Sequence, residues 1–117
     1  MSYLTVESRE VNGTRILYLN GYLNSLLGEE VARMVGAVLD AGGERVLLNF
    51  EGTRLINSIG ISFIIGAVER MAARNGTLAF CSLSPINREL FRITGVARDV
   101  RSFRTEDEAL AWLGRRA

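Results

Sequence analysis

Residue type and spacing suggest chemistry most clearly at Asn57-Ser58-Ile59-Gly60, which follows the polar run Glu51-Gly52-Thr53-Arg54 and precedes the apolar run Ile61 to Ile65. Asn57 or Ser58 is the natural N-cap of a helix starting here. Ser58 then stands in or beside the first turn, where free N–H groups and the positive end of the helix dipole favour an anion. A phosphate on the Ser58 hydroxyl would add about −1.5 to −2 charges at pH 7. The helix start would stabilise that charge by roughly 0.3–1 kcal/mol, or about 2 kcal/mol if partly buried. The same charge would oppose an apolar partner docked over Ile59 and Ile61. Ser58 could therefore be modified without loss of the fold and with loss of binding. Taken alone, these residues also fit a serine that only caps a helix. Ser62, one turn later on the same face, offers a second hydroxyl.

The remaining composition removes most catalytic chemistry. The chain has no histidine and no lysine. Ser-His-Asp and Cys-His sites are excluded, as is the commonest zinc ligand. Neither G-x-x-x-x-G-K nor G-x-G-x-x-G follows a strand, and Glu51 is the nearest acid in sequence. No catalytic residue, metal site or cofactor is expected. Cys81 is the sole cysteine; it reads as a small buried hydrophobe rather than a disulfide partner. A net charge of +1 gives no basic footprint for nucleic acid and no pull towards a membrane. Met1-Ser2-Tyr3 leads directly into a strand-like pattern, with no apolar segment of signal or membrane length, so a cytoplasmic protein is expected.

The elements that must position Ser58 follow from periodicity. Residues 3–11 alternate, with Leu4 and Val6 on one side and Thr5, Glu7 and Arg9 on the other. Asn12-Gly13 is a type I′ turn signal, and Arg15 to Leu19 is the returning strand. Leu27, Val31, Met34, Val35, Val38 and Leu39 form a helical stripe, capped at Asn24 or Ser25 and ended by Gly42-Gly43. Val46 to Phe50 reads as a buried central strand. Residues 51–57 are a loop, and 58–74 a second helix so apolar that deep packing is expected, with Gly66 allowing a close approach. Asn75-Gly76 ends that helix, and Leu78 to Leu83 is another buried strand. Ser84-Pro85 opens a third helix that ends at Gly95. Val100 to Phe103 is a last strand. Thr105-x-x-Glu108 caps a final helix carrying Trp112, with Arg115-Arg116 at its end. Arg98, Arg101 and Arg104 read as a solvated basic edge. The order β-β-α-β-α-β-α-β-α predicts an α/β fold, a mostly parallel mixed sheet opened by a hairpin, in a single domain over 1–117. The carboxyl edge of such a sheet, where the 51–57 loop lies, is the usual place for ligands.

The stretch around Ser58 resembles the phosphorylation motif of STAS-domain anti-sigma-factor antagonists, in which a strand and polar loop lead to Asp-Ser-Ser-Gly or Asp-Ser-x-Gly. Leu19-Asn20-Gly21-Tyr22-Leu23-Asn24 is similar to that family's Leu-x-Gly-x-Leu-Asp. Ser84-Pro85, Leu90-Phe91-Arg92-Ile93-Thr94-Gly95 and the segment Phe103 to Leu113 are similar to its third helix and closing elements. The resemblance covers essentially the whole chain.

It implies a regulatory binding protein rather than an enzyme. The unphosphorylated form would bind an anti-sigma factor, typically a serine kinase with an ATP-binding fold, and so release a sigma factor. Phosphorylation of Ser58 would end the complex, and a metal-dependent (PP2C-type) phosphatase would restore it. Gly21, Tyr22, Leu23, Asn24, Asn57, Ile59, Gly60, Ile61 and Ser62 would form the partner surface. Asn24 and Asn57 stand where the family has aspartates. An alternative within the family is a non-switching docking subunit of a lipid-transport ABC system or of a stress-signalling assembly.

Overall fold

The computed structural model describes residues 4–96 and 98–115. Tyr3, the first residue of the expected opening strand, and Arg116, the second of the two closing arginines, lie outside the described residues. Asn12 and Gly13 both take positive φ, +49° and +84°. This left-handed pair matches the twist of a hairpin, so β1 (Thr5–Val11) folds back antiparallel on β2 (Thr14–Asn20). After β2 the pattern switches to repeated crossovers: α1 (Ser25–Asp40), β3 (Arg45–Asn49), α2 (Ser58–Ala73), β4 (Thr77–Cys81), α3 (Pro85–Thr94), β5 (Arg101–Phe103) and α4 (Glu106–Gly114). β4 ends two residues before its expected limit at Leu83. Ser82 takes a φ of +63°, which turns the chain out of the strand.

Each helix begins on a short polar residue whose side chain accepts from the first turn: Asn24, Asn57, Ser84 and Thr105. In this way the sequence marks all four starts with the groups that satisfy otherwise orphaned N–H donors.

The strands lie side by side in chain order, β1-β2-β3-β4-β5, with every pair after the hairpin parallel. Because the order never reverses, right-handed crossovers must all fall on the same face. Accordingly α1, α2 and α3 share one core with Leu17, Leu19, Val46, Leu48, Leu78 and Phe80. The alternate residues Ile16, Leu47, Ala79 and Cys81 face the other way and meet Ala109 and Leu113 of α4. β3 and β4 are covered on both faces, which explains their unbroken apolar sequence. Phe103 stacks at 5.6 Å on Trp112, and the Arg101 guanidinium lies 5.3 Å from the Trp112 ring, so one of the expected solvated arginines is held against aromatic surface.

Two expectations are corrected. α2 is not buried all round. Ile61, Ile64, Ala67 and Met71 face the core, but Ile59 is 51% exposed and Phe63, Ile65 and Val68 are half-buried. Three crossover helices laid side by side on one face leave their outer side without a covering layer. Gly66 also permits no close packing, since a Cβ there would meet nothing within 4 Å.

Candidate functional site

The site begins with Phe50, the last residue before the loop. Its ring meets Phe80 and Phe91 edge to face at 5.5 and 5.4 Å, giving the loop a rigid floor. Above this floor the loop is fastened at several points. The buried Thr53 hydroxyl donates to the Leu19 carbonyl (2.7 Å). The buried Asn87 amide donates to the carbonyls of Thr53 (3.2 Å) and Arg54 (3.4 Å), tying the loop to the first turn of α3. Leu23 N–H donates to Leu55 O (2.9 Å), and Asn57 N–H donates to Leu23 O (3.1 Å). The last two bonds form a short parallel bridge between Leu23 and Ile56. The starts of α1 and α2 are thereby laced together at the carboxyl edge of the sheet.

Asn57 is the N-cap of α2, its Oδ1 accepting from Gly60 N–H at 2.8 Å. Ser58 is therefore the first helical residue, and its side chain does not form the cap. It is exposed, and among the described residues neither its N–H nor that of Ile59 finds a protein acceptor. An anion on the Ser58 oxygen would thus sit at the head of a 16-residue helix, close to unsatisfied donors. Ser62 is exposed as well, and its hydroxyl is committed to Ile59 O at 2.6 Å.

Asn24 does for α1 what Asn57 does for α2. Its Oδ1 accepts from Leu26 and Leu27 N–H at 3.1 and 3.2 Å. Both asparagines are therefore occupied as caps, a role aspartate fills equally well. Among the described residues no ion pair involves residues 20–27 or 51–62.

The nine partner residues expected from the sequence divide into three groups, of which the first, Gly21, Asn24 and Asn57, is half-buried. Tyr22, Ile59 and Ser62 are exposed. Leu23, Gly60 and Ile61 are buried and present no side chain to a partner. Those three hold the loop and helix together, because Leu23 and Ile61 point into the core and Gly60 lies flat against the Leu23 backbone. The sequence reading missed Leu26 and Leu55, each 66% exposed. With Tyr22 and Ile59 they are the large hydrophobics exposed on the two segments that the Leu23–Ile56 bridge joins, an apolar rim to this edge. Both carry a signal in retrospect: Leu26 falls off the α1 stripe, and Leu55 stands with Ile56 as a large hydrophobe in an otherwise polar loop. Such a patch on an exposed edge marks an interaction surface.

The edge is the one expected for ligands, but it is not a switch-point crevice. Those arise where strand order reverses, and here it does not. No group of three or more His, Cys, Asp or Glu side chains suited to a metal occurs among the described residues. Cys81 ends β4 at this same edge, its carbonyl accepting from Phe50 N–H (3.0 Å), but its side chain is fully buried on the opposite face of the sheet under α4, and burial pushes its thiol up to about 11.

A consecutive, mostly parallel sheet whose second crossover helix opens on a capped, exposed serine is the plan of a STAS-type α/β protein. A model of the STAS domain matches residues 5–109, and the chain belongs to that family. It is 30% identical over 86 residues to BtrV of Bordetella bronchiseptica, a protein named as an anti-sigma factor antagonist, with 74% of each chain covered. Its fold is similar to that of an anti-sigma factor antagonist of Thermotoga maritima (TM-score 0.85, 20% identity, 92% of this chain and 93% of that one). It is also similar to the Bacillus cell fate determinant SpoIIAA in its phosphorylated form (TM-score 0.74, 21% identity, 93% of this chain and 99% of that one). No helix among the described residues is long and apolar enough to cross a membrane.

Proposed function

We propose that the 117 residues act as one cytoplasmic domain that binds an anti-sigma factor and is released from it by phosphorylation of Ser58. The observation that carries this reading is the position of Ser58: exposed, first in its helix, and at the edge where two bridged segments expose Tyr22, Leu26, Leu55 and Ile59. An apolar partner surface docks over the rim when the serine is unmodified. A phosphate there would be held by the helix start and would have to be desolvated by any partner covering it, which is costly for an unpaired charge. The fold does not depend on the Ser58 side chain, because Asn57 supplies the cap. The kinase is the anti-sigma factor itself, with an ATP-binding fold, and a metal-dependent phosphatase resets the cycle. The role is regulatory rather than catalytic, since no histidine or lysine exists to activate the hydroxyl. Asparagine at 24 and 57 leaves both caps in place, so those substitutions do not argue for a non-switching subunit.

The test is direct. The protein is incubated with ATP and the kinase encoded beside it, and the modified residue is located by mass spectrometry. Binding is compared for wild type, Ser58→Ala and Ser58→Asp. Label on Ser58, with binding kept in Ser58→Ala and weakened in Ser58→Asp, is the expected result. Label elsewhere, or equal binding by all three, overturns the reading.

A further inference from the structure

α3 turns Phe91 and the buried Asn87 inward. Its outer side carries Ile86 and Ile93, 79% and 69% exposed, seven residues apart and so on one stripe. Arg88, Arg92 and Arg98 line an open groove beside that stripe, floored by Pro85 and Gly95. Arg88 also borders a smaller hollow shared with Arg104. Arg92 is held by Glu89 at 2.6 Å. Arg88, Arg98 and Arg104 take no carboxylate among the described residues, whereas Arg9, Arg15 and Arg33 each do. The near-neutral total conceals this asymmetry: residues 1–69 hold five arginines and eight acids, residues 70–117 nine arginines and five acids.

We propose that the outer face of α3 is a second docking face, for an acidic and partly aliphatic segment of a protein partner. Guanidinium forks pair with carboxylates in bidentate geometry, and the two isoleucines offer apolar contact at the spacing of two helical turns. An anionic bilayer fits less well, because a flat surface does not enter the groove that the arginines line. Nucleic acid fits less well too, since Phe91, the aromatic residue of α3, is buried and cannot stack a base, and the isoleucines would gain nothing. The face belongs to a different helix from Ser58 and does not rest on the phosphorylation reading.

The test is a titration of the isotopically labelled full chain with a peptide of about twelve residues alternating glutamate and leucine, followed by amide shifts at about 50 mM and about 300 mM salt. Shifts confined to residues 85–98, weakened by salt, are expected. The double variant Arg88→Glu/Arg98→Glu should bind at least about tenfold more weakly with an unchanged melt, while Arg33→Glu on α1 and Ser58→Asp bind as wild type. Absence of shifts, equal weakening by Arg33→Glu, or displacement of the peptide from this face by phosphatidylglycerol vesicles or duplex DNA would overturn the proposal.

Discussion

The carbonyl oxygen of Leu23 lies against the α-carbon of Gly60, so close that a Cβ at position 60 would stand well inside van der Waals contact distance of it. This contact sets the distance between the starts of α1 and α2, and with it the shape of the apolar rim at the Ser58 edge. Gly60→Ala must push the backbone at 21–24 away from α2. A loss of about 1–3 kcal/mol is expected, in line with other overpacked sites, together with weaker partner binding. Urea unfolding measures the first and a pull-down the second. An unchanged unfolding midpoint would mean that the two helix starts are free to separate.

Asn24 and Asn57 are predicted to be replaceable by aspartate and not by alanine. Each supplies one side-chain oxygen to the first turn of its helix. Alanine at either position should cost about 1 kcal/mol. Aspartate keeps the acceptor and adds a charge that the helix dipole favours by roughly 0.3–1 kcal/mol. Chemical denaturation of the four single variants should therefore rank the aspartates at or above wild type. The reverse ranking would show that the amide group has a role beyond capping.

Asn87 is predicted to control the loop rather than α3 alone. Its buried amide serves two carbonyls of the 51–57 segment. Asn87→Ala leaves both without that donor, at an expected cost of about 1–3 kcal/mol. Amide exchange should quicken over residues 53–57 more than over β3. Uniform quickening across the sheet would instead mean a global loss of stability with no local effect on the loop.

The Cys81 thiol gives a pH-dependent prediction with a definite sign. Burial raises it from 9.0 to about 11 in the folded protein, with Glu106 and Glu51 adding to the effect and a hydrogen bond with Ser82 opposing it. Between those values the unfolded chain gives up the proton first, so stability falls as pH rises from 9 to 11. Thermal melts should drop more steeply over that window for wild type than for Cys81→Ala, which removes the group but leaves the tyrosines. At pH 8 the native thiol should resist alkylation and react freely in denaturant. Equal slopes for the two proteins would remove the buried thiol from the account.

The element order was readable because each boundary carries a strong local signal. Asn12-Gly13 at the hairpin, Ser84-Pro85 at α3 and Thr105 before α4 act within a few residues and need no tertiary context. The consecutive strand order is a different kind of fact. It depends on which strands pair, and periodicity does not encode pairing. The one-sided stacking of the crossovers follows from it, and that is why the apolar sequence of α2 suggested more burial than the helix has. The position of Ser58 was legible; its relation to the cap was not, because Asn57 and Ser58 are both acceptable caps and only the bond to Gly60 separates them. Leu26 and Leu55 escaped notice because exposure of an isolated leucine depends on what the rest of the chain fails to cover. Arg98 and Arg104 were legible as a basic edge, but Arg88 and Arg92 of α3 were obscured by a net charge of +1, since composition sums over the surface and discards its pattern.

The order β1-β2-β3-β4-β5 also bears on how the chain is made. Every strand pairs with one that precedes it immediately, so no pairing waits for a distant segment to be synthesised. The hairpin can close first, and each later strand adds to an edge that already exists. α4 comes last and alone covers Ile16, Leu47 and Ala79. Until it emerges, a nascent chain carries a finished Ser58 edge on a sheet whose other side is still bare and open to aggregation.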